Sequence, residues 1–531
     1  MFEKIKNHIQ FTKKLKQQQA ITHESNKYVE DNCTIYMEID INLKNLKKTI
    51  GKSTDVIFKE FTIGVKEKIK AFICVVDFLV DKNKIEGYIK TMSMFDKPIV
   101  NDDSTVVYSD IFTTLKEKLL YSIDIKESGS FNEVLESILS GSTVIFIDGY
   151  NTAFIIGAQS SEQRSIDEPN SELSIRGSRE GFVENIKVNI SLIRKIIRNP
   201  NLVFETLYLG KQTHTMVCLA YMDGLVNQNV LKELKERLNK IDADFILESG
   251  YIEQYIEDRP FSIFATVGNS EKPDKVSAKI LEGRIAILCN GTPCVLTVPY
   301  LFIEAFQASE DYYSRPFADS LIRAGRFLAF FISSSLPALY VSITSFHPKM
   351  IPPILLLSIA SSREGVPFPS VIEVGIMLFG FQVVKESGIR MPIPGGQAVS
   401  IIGALIVGQA AVAAGIISNP VIIVVALMGI TGFIINPISD AVFLIRFLLL
   451  ALSATFGFFG FIIGIFIILA HMCSLNSFGT PYLAPFAPTI WSELKDTIVR
   501  FPLRSMKSKP KSIIHGKSNK EANNSKEGEK T

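Results

Sequence analysis

The chain has 531 residues, a net charge of +2 and 47% hydrophobic residues. This charge balance provides no overall basic field and argues against nucleic-acid binding. No P-loop, HExxH or GxSxG pattern and no Cys/His metal spacing occurs, so we predict neither catalysis nor a metal or cofactor.

The first 27 residues are predicted to be a basic arm. Residues 1–16 contain five lysines but no apolar run, so they do not resemble a cleavable signal. Such an arm is either solvated or weakly attracted to anionic lipid headgroups. Because nothing here directs export, we expect the domain that follows to be cytoplasmic.

The soluble half contains an internal repeat. Asp77 and Asp223 open similar heptapeptides 146 residues apart, each after an apolar strand that contains a cysteine. Asp148-Gly149 and Asn290-Gly291 each separate two apolar strands, a pattern typical of β-hairpins with type I′ turns. A helix precedes each hairpin, so we predict two related α/β subdomains, at residues 28–157 and 183–300.

A charged linker, residues 158–182, separates these subdomains. So many charges indicate solvation, but charge-assisted hydrogen bonds to another surface are an equal physical possibility. The candidate residues for a subunit or subdomain contact are Arg176, Arg179 and Glu180.

Beyond a connector at residues 301–326, residues 327–472 are too apolar for a soluble domain. We predict an all-α polytopic transmembrane domain with about five spans, since a span needs about 20 apolar residues. Residues 351–361 are too short to cross and begin at a Pro-Pro pair, which favours a re-entrant segment. The predicted spans are 327–346, 368–384, 397–417, 421–435 and 441–472, the last at a steep tilt or extending beyond the bilayer.

Charged residues inside these spans are candidates for function. Glu373 lies well within a predicted span, where a charge is expensive. It is therefore expected to line an ion path or to pair with a cation such as Lys385 or an arginine, unless the predicted helix boundary is misplaced. Arg363 and Glu364 follow the re-entrant segment and either line its mouth or pair locally. Arg446 is expected to extend its side chain to the membrane interface.

Helix contacts are predicted on the span at 397–417. Small residues four apart let helix backbones approach closely in lipid, either within one subunit or between copies. These residues are Ala404, Gly408, Ala411 and Gly415.

Orientation and span number disagree. Arginines before the first span and basic residues after the last place both ends in the cytoplasm, which requires an even number of crossings, whereas five spans are odd. Either residues 351–361 add a crossing or one apparent span is a half-helix. We expect residues 473–510 to be a cytoplasmic amphipathic segment and residues 511–531 a disordered tail.

Short motifs follow one another in a specific order along residues 30–505. In the soluble half they are Arg164, Glu168-Pro169, Glu172, Ile175-Arg176-Gly177, Arg179-Glu180-Gly181-Phe182, Asn189, Glu248-Ser249-Gly250-Tyr251-Ile252-Glu253, Asp258-Arg259-Pro260, Glu271-Lys272-Pro273-Asp274, Leu281-Glu282-Gly283-Arg284 and Asp311-Tyr312-Tyr313. In the membrane half they are Leu336-Pro337-Ala338-Leu339-Tyr340-Val341, Arg363-Glu364-Gly365-Val366-Pro367-Phe368-Pro369, Arg390-Met391-Pro392 and Gly403-Ala404-Leu405-Ile406-Val407-Gly408-Gln409-Ala410. Together they resemble the GerA family of spore germination proteins, the A subunits of germinant receptors.

This sequence departs from the family pattern at a few positions. Ser178 stands where the family usually has proline, and Gln382 replaces a frequent glutamate, which puts a charge at that membrane position in doubt. Residues 385–388 vary an Arg-Glu-Ala-Gly pattern. The paralogous sporulation stage V AF protein has a similar body, so the resemblance extends to it.

The resemblance implies a receptor complex in the inner spore membrane. A transporter-like B subunit would receive the nutrient, and a lipoprotein C subunit would lie outside. The A subunit would form a homo-oligomer, expected to be a pentamer, whose channel releases monovalent cations when nutrient binds. A secondary transporter and a non-conducting scaffold remain alternatives; a transporter predicts inverted repeats within its spans, which this sequence lacks.

Overall fold

Two five-stranded antiparallel sheets form the first half of the molecule. The computed structural model describes residues 34–63, 69–93, 125–157, 172, 176–390, 396–491, 493–506 and 510–514. The predicted basic arm and residues 158–171 of the linker lie outside these ranges.

The first sheet has the strand order β1-β2-β4-β5-β3. Its strand β2 is apolar on both faces because helices cover one side and a second apolar cluster covers the other. Its elements are α1 Ile39–Ile50, β1 Val56–Ile63, β2 Ile69–Val76, α2 Lys82–Ser93, β3 Ile125–Ser128, α3 Phe131–Leu139, β4 Thr143–Ile147 and β5 Ala153–Ile156.

The second sheet repeats this arrangement in the order β6-β7-β9-β10-β8. Both predicted hairpins form: Val144 pairs with Ile155, and Ile287 pairs with Leu296. Its elements are α4 Ile186–Ile196, β6 Leu202–Leu209, β7 Thr215–Met222, α5 Gln228–Asn239, α6 Ser249–Ile256, β8 Gly268–Ser270, α7 Pro273–Leu281, β9 Ile285–Cys289 and β10 Val295–Val298.

The hairpin turns differ from the predicted type I′ geometry. A type I′ turn needs positive φ at both central residues, but only Gly149 and Gly291 have it, at +86° and +97°. Asp148 Oδ1 instead accepts a hydrogen bond from the N–H of Ile39, and Asn290 Oδ1 accepts one from the N–H of Ile186. Each turn therefore caps the first helix of its own subdomain. The same contact occurs in both subdomains, as the two sheets do.

A buried ion pair joins the two subdomains. Arg194 on α4 donates from Nε to Asp55 Oδ2 at 2.8 Å and from Nη2 to Asp55 Oδ1 at 3.0 Å, and both side chains are 1% exposed. Arg194 Nη2 also donates to Ser53 Oγ, which accepts from the N–H of Phe204. These contacts fix the loop before β1 against the edge of β6.

The second half of the chain is helical. Two helices are long and apolar enough to cross a membrane, Pro316–Phe346 and Asn436–Ser474, among the residues that the structure describes. The helices are α8 Pro316–Phe346, α9 Pro353–Arg363, α10 Ser370–Ile389, α11 Gly396–Ala413, α12 Asn419–Ile434 and α13 Ser439–Ser474.

Helix α13 is not the continuous helix that the sequence predicted, either steeply tilted or extending beyond the bilayer. At Gly457 the backbone leaves helical geometry, with φ 59° and ψ −138°. A Cβ placed on Gly460 would lie 2.1 Å from Leu452 O, and one on Gly464 would lie 2.6 Å from a methyl group of Leu449. In a straight helix, residues 8 and 15 apart are separated by about 12 and 22 Å. Residues 439–456 and 458–474 therefore fold back on each other as a helical hairpin.

The helices alternate in direction along one axis. Helix α8 begins against the soluble half, where Phe330 contacts Phe302, and ends where Phe346 meets Gly457 at the hairpin turn. Helix α10 starts at that far end, where Ser370 contacts Ser345. Helix α12 returns to the soluble half, since Ile435 joins the cluster that contains Phe302. Helix α9 is too short for such a passage.

The C-terminal segment folds back onto the connector. After two short strands, β11 Asn476–Ser477 and β12 Thr480–Pro481, the described residues to 502 form mainly turns. Residues Lys511–Ile514 form one helical turn, α14, in which Ile513 is 2% exposed against Leu301 and Ile303. The tail predicted to be disordered from residue 511 is therefore ordered at its beginning; residues 515–531 lie outside the described residues.

Candidate functional site

Glu373, at the start of α10, is fully buried and surrounded by partners from two other helices. Its Oε2 accepts hydrogen bonds from the Ser418 N–H at 2.9 Å and from the Ser418 hydroxyl at 2.6 Å. Its Oε1 lies 3.3 Å from Nε of Arg363, at the end of α9. The carboxylate thus caps the N-terminus of α12, where the helix dipole favours negative charge.

The structure selects among the partners that the sequence left open. Glu373 pairs with Arg363 and not with Lys385, whereas Glu364 is exposed. Arg363 therefore does not pair with its neighbour in sequence; it crosses from α9 to α10. A carboxylate paired in this way can exchange its arginine partner for a passing cation. The arrangement is therefore compatible with an ion path as well as with a structural ion pair.

The small residues of α11 occupy different environments. A Cβ on Gly408 would lie 3.6 Å from Ile422 and 3.7 Å from Met377, so this glycine packs within the subunit. Ala411 also packs against the same apolar cluster, and Ala404 lies on the helix. Gly415 lies outside the helix, which ends at Ala413, and forms part of a turn with φ +68°.

The described part of the linker packs along the second subdomain. Glu172 Oε2 accepts a hydrogen bond from Ser270 Oγ at 2.5 Å and pairs with Lys275. Gly177 lies against the ring of Tyr313, and a Cβ there would be 2.7 Å from the ring. The side chains of Arg176, Arg179 and Glu180 are exposed beside this contact. The linker therefore brings three charged side chains to the surface next to the connector.

The connector joins the soluble half to α8 through a buried ionic network. Arg323 is fully buried, and its Nε donates to Asp311 Oδ2 at 3.1 Å while its Nη1 donates to Asp496 Oδ1 at 2.9 Å. Arg326 also contacts Asp311, and Arg500 donates to Asp319 at 3.1 Å. We name Asp311, Asp319, Arg323, Arg326, Asp496 and Arg500 the junction network.

Tyr312 lies inside the junction network. Its hydroxyl donates to Asp496 Oδ2 at 2.7 Å, and the guanidinium groups of Arg323 and Arg500 lie 5.8 and 5.5 Å from its ring centroid. Burial, reinforced by Asp496, raises the pKa of Tyr312 well above its usual value. The tyrosine therefore stays protonated and tethers the C-terminal segment to the connector.

A second buried ionic cluster precedes the junction network. Glu304 lies 2.9 Å from Lys279 Nζ and 3.0 Å from Nη2 of Arg284. Burial alone raises the pKa of Glu304, but Arg284 and Lys279 outweigh it and hold the pKa below its usual value. Separating these buried charges would cost several kcal/mol of free energy. A movement of the second subdomain would therefore move the connector with it.

Arg446 is enclosed by protein, whereas the sequence predicted a side chain that extends freely to the membrane interface. It is 7% exposed, and Nε donates to the carbonyl oxygen of Ser333 at 3.0 Å while Nη2 donates to the Ser333 hydroxyl at 3.1 Å. The side chain is held because α8 and the first half of α13 run side by side.

Sequence reasoning missed several of these residues. The basic residues that flank the spans include Arg323 and Arg500, and from sequence they predict orientation alone. In the structure Arg323 pairs with Asp311 and Asp496, and Arg500 pairs with Asp319. The segments that flank the spans contain acidic as well as basic residues, and this balance was the available signal that the arginines form ion pairs. Ser418 carried none, because a serine before Asn-Pro is an ordinary helix start.

Comparison with known proteins places the chain among spore germination proteins. The family model described as Bacillus/Clostridium GerA spore germination protein matches residues 44–512. Spore germination protein KA of Bacillus subtilis (strain 168) is 44% identical over 474 residues, covering 89% of this chain and 86% of that protein. The membrane protein YfkQ of the same organism is 38% identical over 503 residues, covering 93% of this chain and 96% of that protein.

One solved structure is also similar in sequence. It is the crystal structure of the N-terminal domain of the A subunit of the Bacillus megaterium spore germinant receptor GerK3. The two are 31% identical, with a TM-score of 0.40 and coverage of 51% of this chain and 99% of that chain.

Proposed function

Because the chain belongs to the GerA family of spore germination proteins, we propose that it is the A subunit of a nutrient germinant receptor in the inner spore membrane. The observation that carries this proposal is the family match across residues 44–512, which includes both sheets and every helix from α8 to α13. The partners are a transporter-like B subunit, a lipoprotein C subunit and further copies of this chain, expected as a pentamer.

The helical half is a multi-pass membrane domain in this proposal. Helices α10, α11 and α12 and the two arms of α13 have 20, 18, 16, 18 and 17 residues. At 1.5 Å per residue these lengths are about 24 to 30 Å, close to the hydrocarbon thickness. Together with α8 they make six crossings. Both ends of the membrane domain therefore lie on one side, and α9 need not cross.

The even number agrees with the basic residues at both ends of the domain. We assign the end that contacts the two sheets to the cytoplasm, and the end that contains Gly457 and Glu373 to the opposite leaflet. The even parity arises because the stretch 441–472 folds into two arms. The sequence analysis predicts an odd number of spans because it treats residues 441–472 as a single crossing.

The activity we propose is passage of monovalent cations through an oligomer of this chain. Glu373 supports it, since it is a buried carboxylate in an apolar helical domain and its only cation within 4 Å among the described residues is Arg363. The exposed faces of α11 and α12, which include Ile406 and Ile423, are available for lipid or neighbouring subunits. Movement of the soluble half would reach α8 through the junction network.

Potassium release from spores tests the ion path. Glu373→Gln removes the charge and keeps the shape, whereas Glu386→Gln removes an exposed carboxylate from the same helix and serves as the matched control. We expect germinant-triggered potassium release to slow severalfold only with Glu373→Gln, with both variants at wild-type abundance in the membrane. Unchanged release with Glu373→Gln would exclude this residue from the path.

Conductance distinguishes the channel from a non-conducting scaffold. The complete receptor complex reconstituted in a planar bilayer should show unitary potassium currents that depend on germinant. Their absence from a preparation that still binds its B and C subunits would favour the scaffold.

A further inference from the structure

A polar cavity of about 230 Å³ lies among α10, α12 and the first arm of α13, away from Glu373. Its walls are apolar except for six side chains from three helices, α8, α10 and α13. These are Ser333, Gln382, Lys385, Ser439, Asp440 and Arg446. The volume equals nearly eight waters at their liquid volume of about 30 Å³ each, which is enough for a phosphate with part of an attached glycerol.

Arg446 lacks the partner that every comparable arginine has. The buried arginines among the described residues are Arg194, Arg284, Arg323, Arg446 and Arg500. Four of them have a carboxylate within 4 Å; Arg446 has only the backbone and hydroxyl oxygens of Ser333. A buried charge without a counter-ion is expensive, so an external anion would stabilise this site.

Lys385 adds a second cation to the same cavity. No carboxylate of the described residues lies within 4 Å of its ammonium group, although Asp440 is part of the wall. Two cations and one carboxylate leave a net charge of +1. This balance suits a phosphodiester, which carries one negative charge, better than inorganic phosphate, which carries between one and two near neutral pH.

We propose that this cavity binds a phosphate group, supplied by an anionic phospholipid of the cytoplasmic leaflet. The source rests on the membrane topology proposed above. Arg446 lies seven residues, about 10 Å, into α13 from the end nearest the sheets, the depth of a headgroup and its glycerol. Basic pockets between membrane helices on the cytoplasmic side are sites of this kind. Arg446 Nη1 and the Lys385 ammonium bind the phosphate oxygens.

The test uses the purified full-length protein in detergent micelles and its melting temperature. Short-chain phosphatidylglycerol, phosphatidylcholine and inorganic phosphate are titrated separately. The variants are Lys385→Gln and Arg446→Gln, with Arg390→Gln as the control because it removes an exposed cation from the C-terminal end of α10. We expect phosphatidylglycerol to raise the melting temperature more than phosphatidylcholine, with an apparent Kd about tenfold weaker in Lys385→Gln and unchanged in Arg390→Gln.

Each outcome decides the question. Stabilisation by inorganic phosphate that Lys385→Gln abolishes, without an added effect of phosphatidylglycerol, identifies a free anion as the source. Equal phosphatidylglycerol shifts in wild type and Lys385→Gln, or no shift by either phosphate compound, overturn the proposal. Should Arg446→Gln fail to fold, Lys385→Gln still tests the site, because Lys385 makes no hydrogen bond to another described residue. No readout depends on ion conduction, so the channel proposal stands or falls separately.

Discussion

Replacing Asp55 with alanine should separate the two sheets of the soluble half. The carboxylate accepts two hydrogen bonds from Arg194, and both side chains are 1% exposed. In Asp55→Ala the guanidinium keeps only Ser53 Oγ at 2.9 Å and Asn199 O at 3.4 Å, and it stays buried without a counter-charge.

The expected cost is about 3 to 5 kcal/mol, the range for removing one partner of a buried ion pair. The double variant Asp55→Ala/Arg194→Met removes both charges and should recover at least about 2 kcal/mol of that loss, because no unpaired charge remains. Asp223→Asn is the matched control at the same interface. Its partner Lys52 is 67% exposed, and exposed pairs contribute at most about 1 kcal/mol.

Thiol labelling of Cys218 measures this cost in the full-length protein. The cysteine is fully buried in the cluster that packs α4 on the second sheet, so its reaction reports opening of that unit. A loss of 3 to 5 kcal/mol accelerates labelling between about a hundredfold and a few thousandfold. The reasoning is refuted if Asp55→Ala labels no faster than Asp223→Asn, or if the double variant is as unstable as the single one.

Three further changes test other parts of the fold. Gly457→Ala should prevent accumulation of the protein in membranes, since φ is +59° and a Cβ would lie 2.7 Å from the Phe346 ring; Gly375→Ala, with no neighbour within 4 Å, should accumulate normally on an immunoblot. Burial, with two neighbouring glutamates, raises the pKa of Glu253 to about 7, so this carboxyl favours folding below about pH 4.5 and loses that contribution as pH rises through 7. Glu253→Gln should therefore stabilise the protein at pH 8, by no more than about 2 kcal/mol, and raise its melting temperature there. At pH 4 the variant should melt nearly as the wild type does; equal gains at both pH values would contradict this sign. Deletion of residues 515–531 should leave complex assembly on a native gel intact, whereas Ile513→Asp, which places a charge in an apolar cluster, should reduce it.

Local sequence patterns were sufficient for the duplicated hairpins of the first half of the chain. Continuously apolar strands on both sides of Asp148-Gly149 and Asn290-Gly291 place both hairpins correctly, although the connections are five residues long, 148–152 and 290–294. The turn type was wrong, since Asp148 and Asn290 use their side chains to cap α1 and α4, a contact between positions about 105 residues apart.

Partner choice was decided by packing alone. The sequence offered Lys385 or an arginine to Glu373, and only the crossing of α9, α10 and α12 selects Arg363 and adds Ser418. Packing also decided the position of Arg446. In an isolated span this side chain would be free to reach the interface, but here α13 runs beside α8 and encloses it.

The sequence by itself determined which stretches are apolar, where the strands turn and which family the chain resembles, because these depend on residues close together along the chain. Tertiary structure decided that residues 441–472 form two arms. Glycines are common in membrane helices, and nothing local distinguishes Gly457 from Gly375. What makes Gly457 a turn is the ring of Phe346, 111 residues earlier, together with Gly460 and Gly464, whose missing side chains let the arms touch.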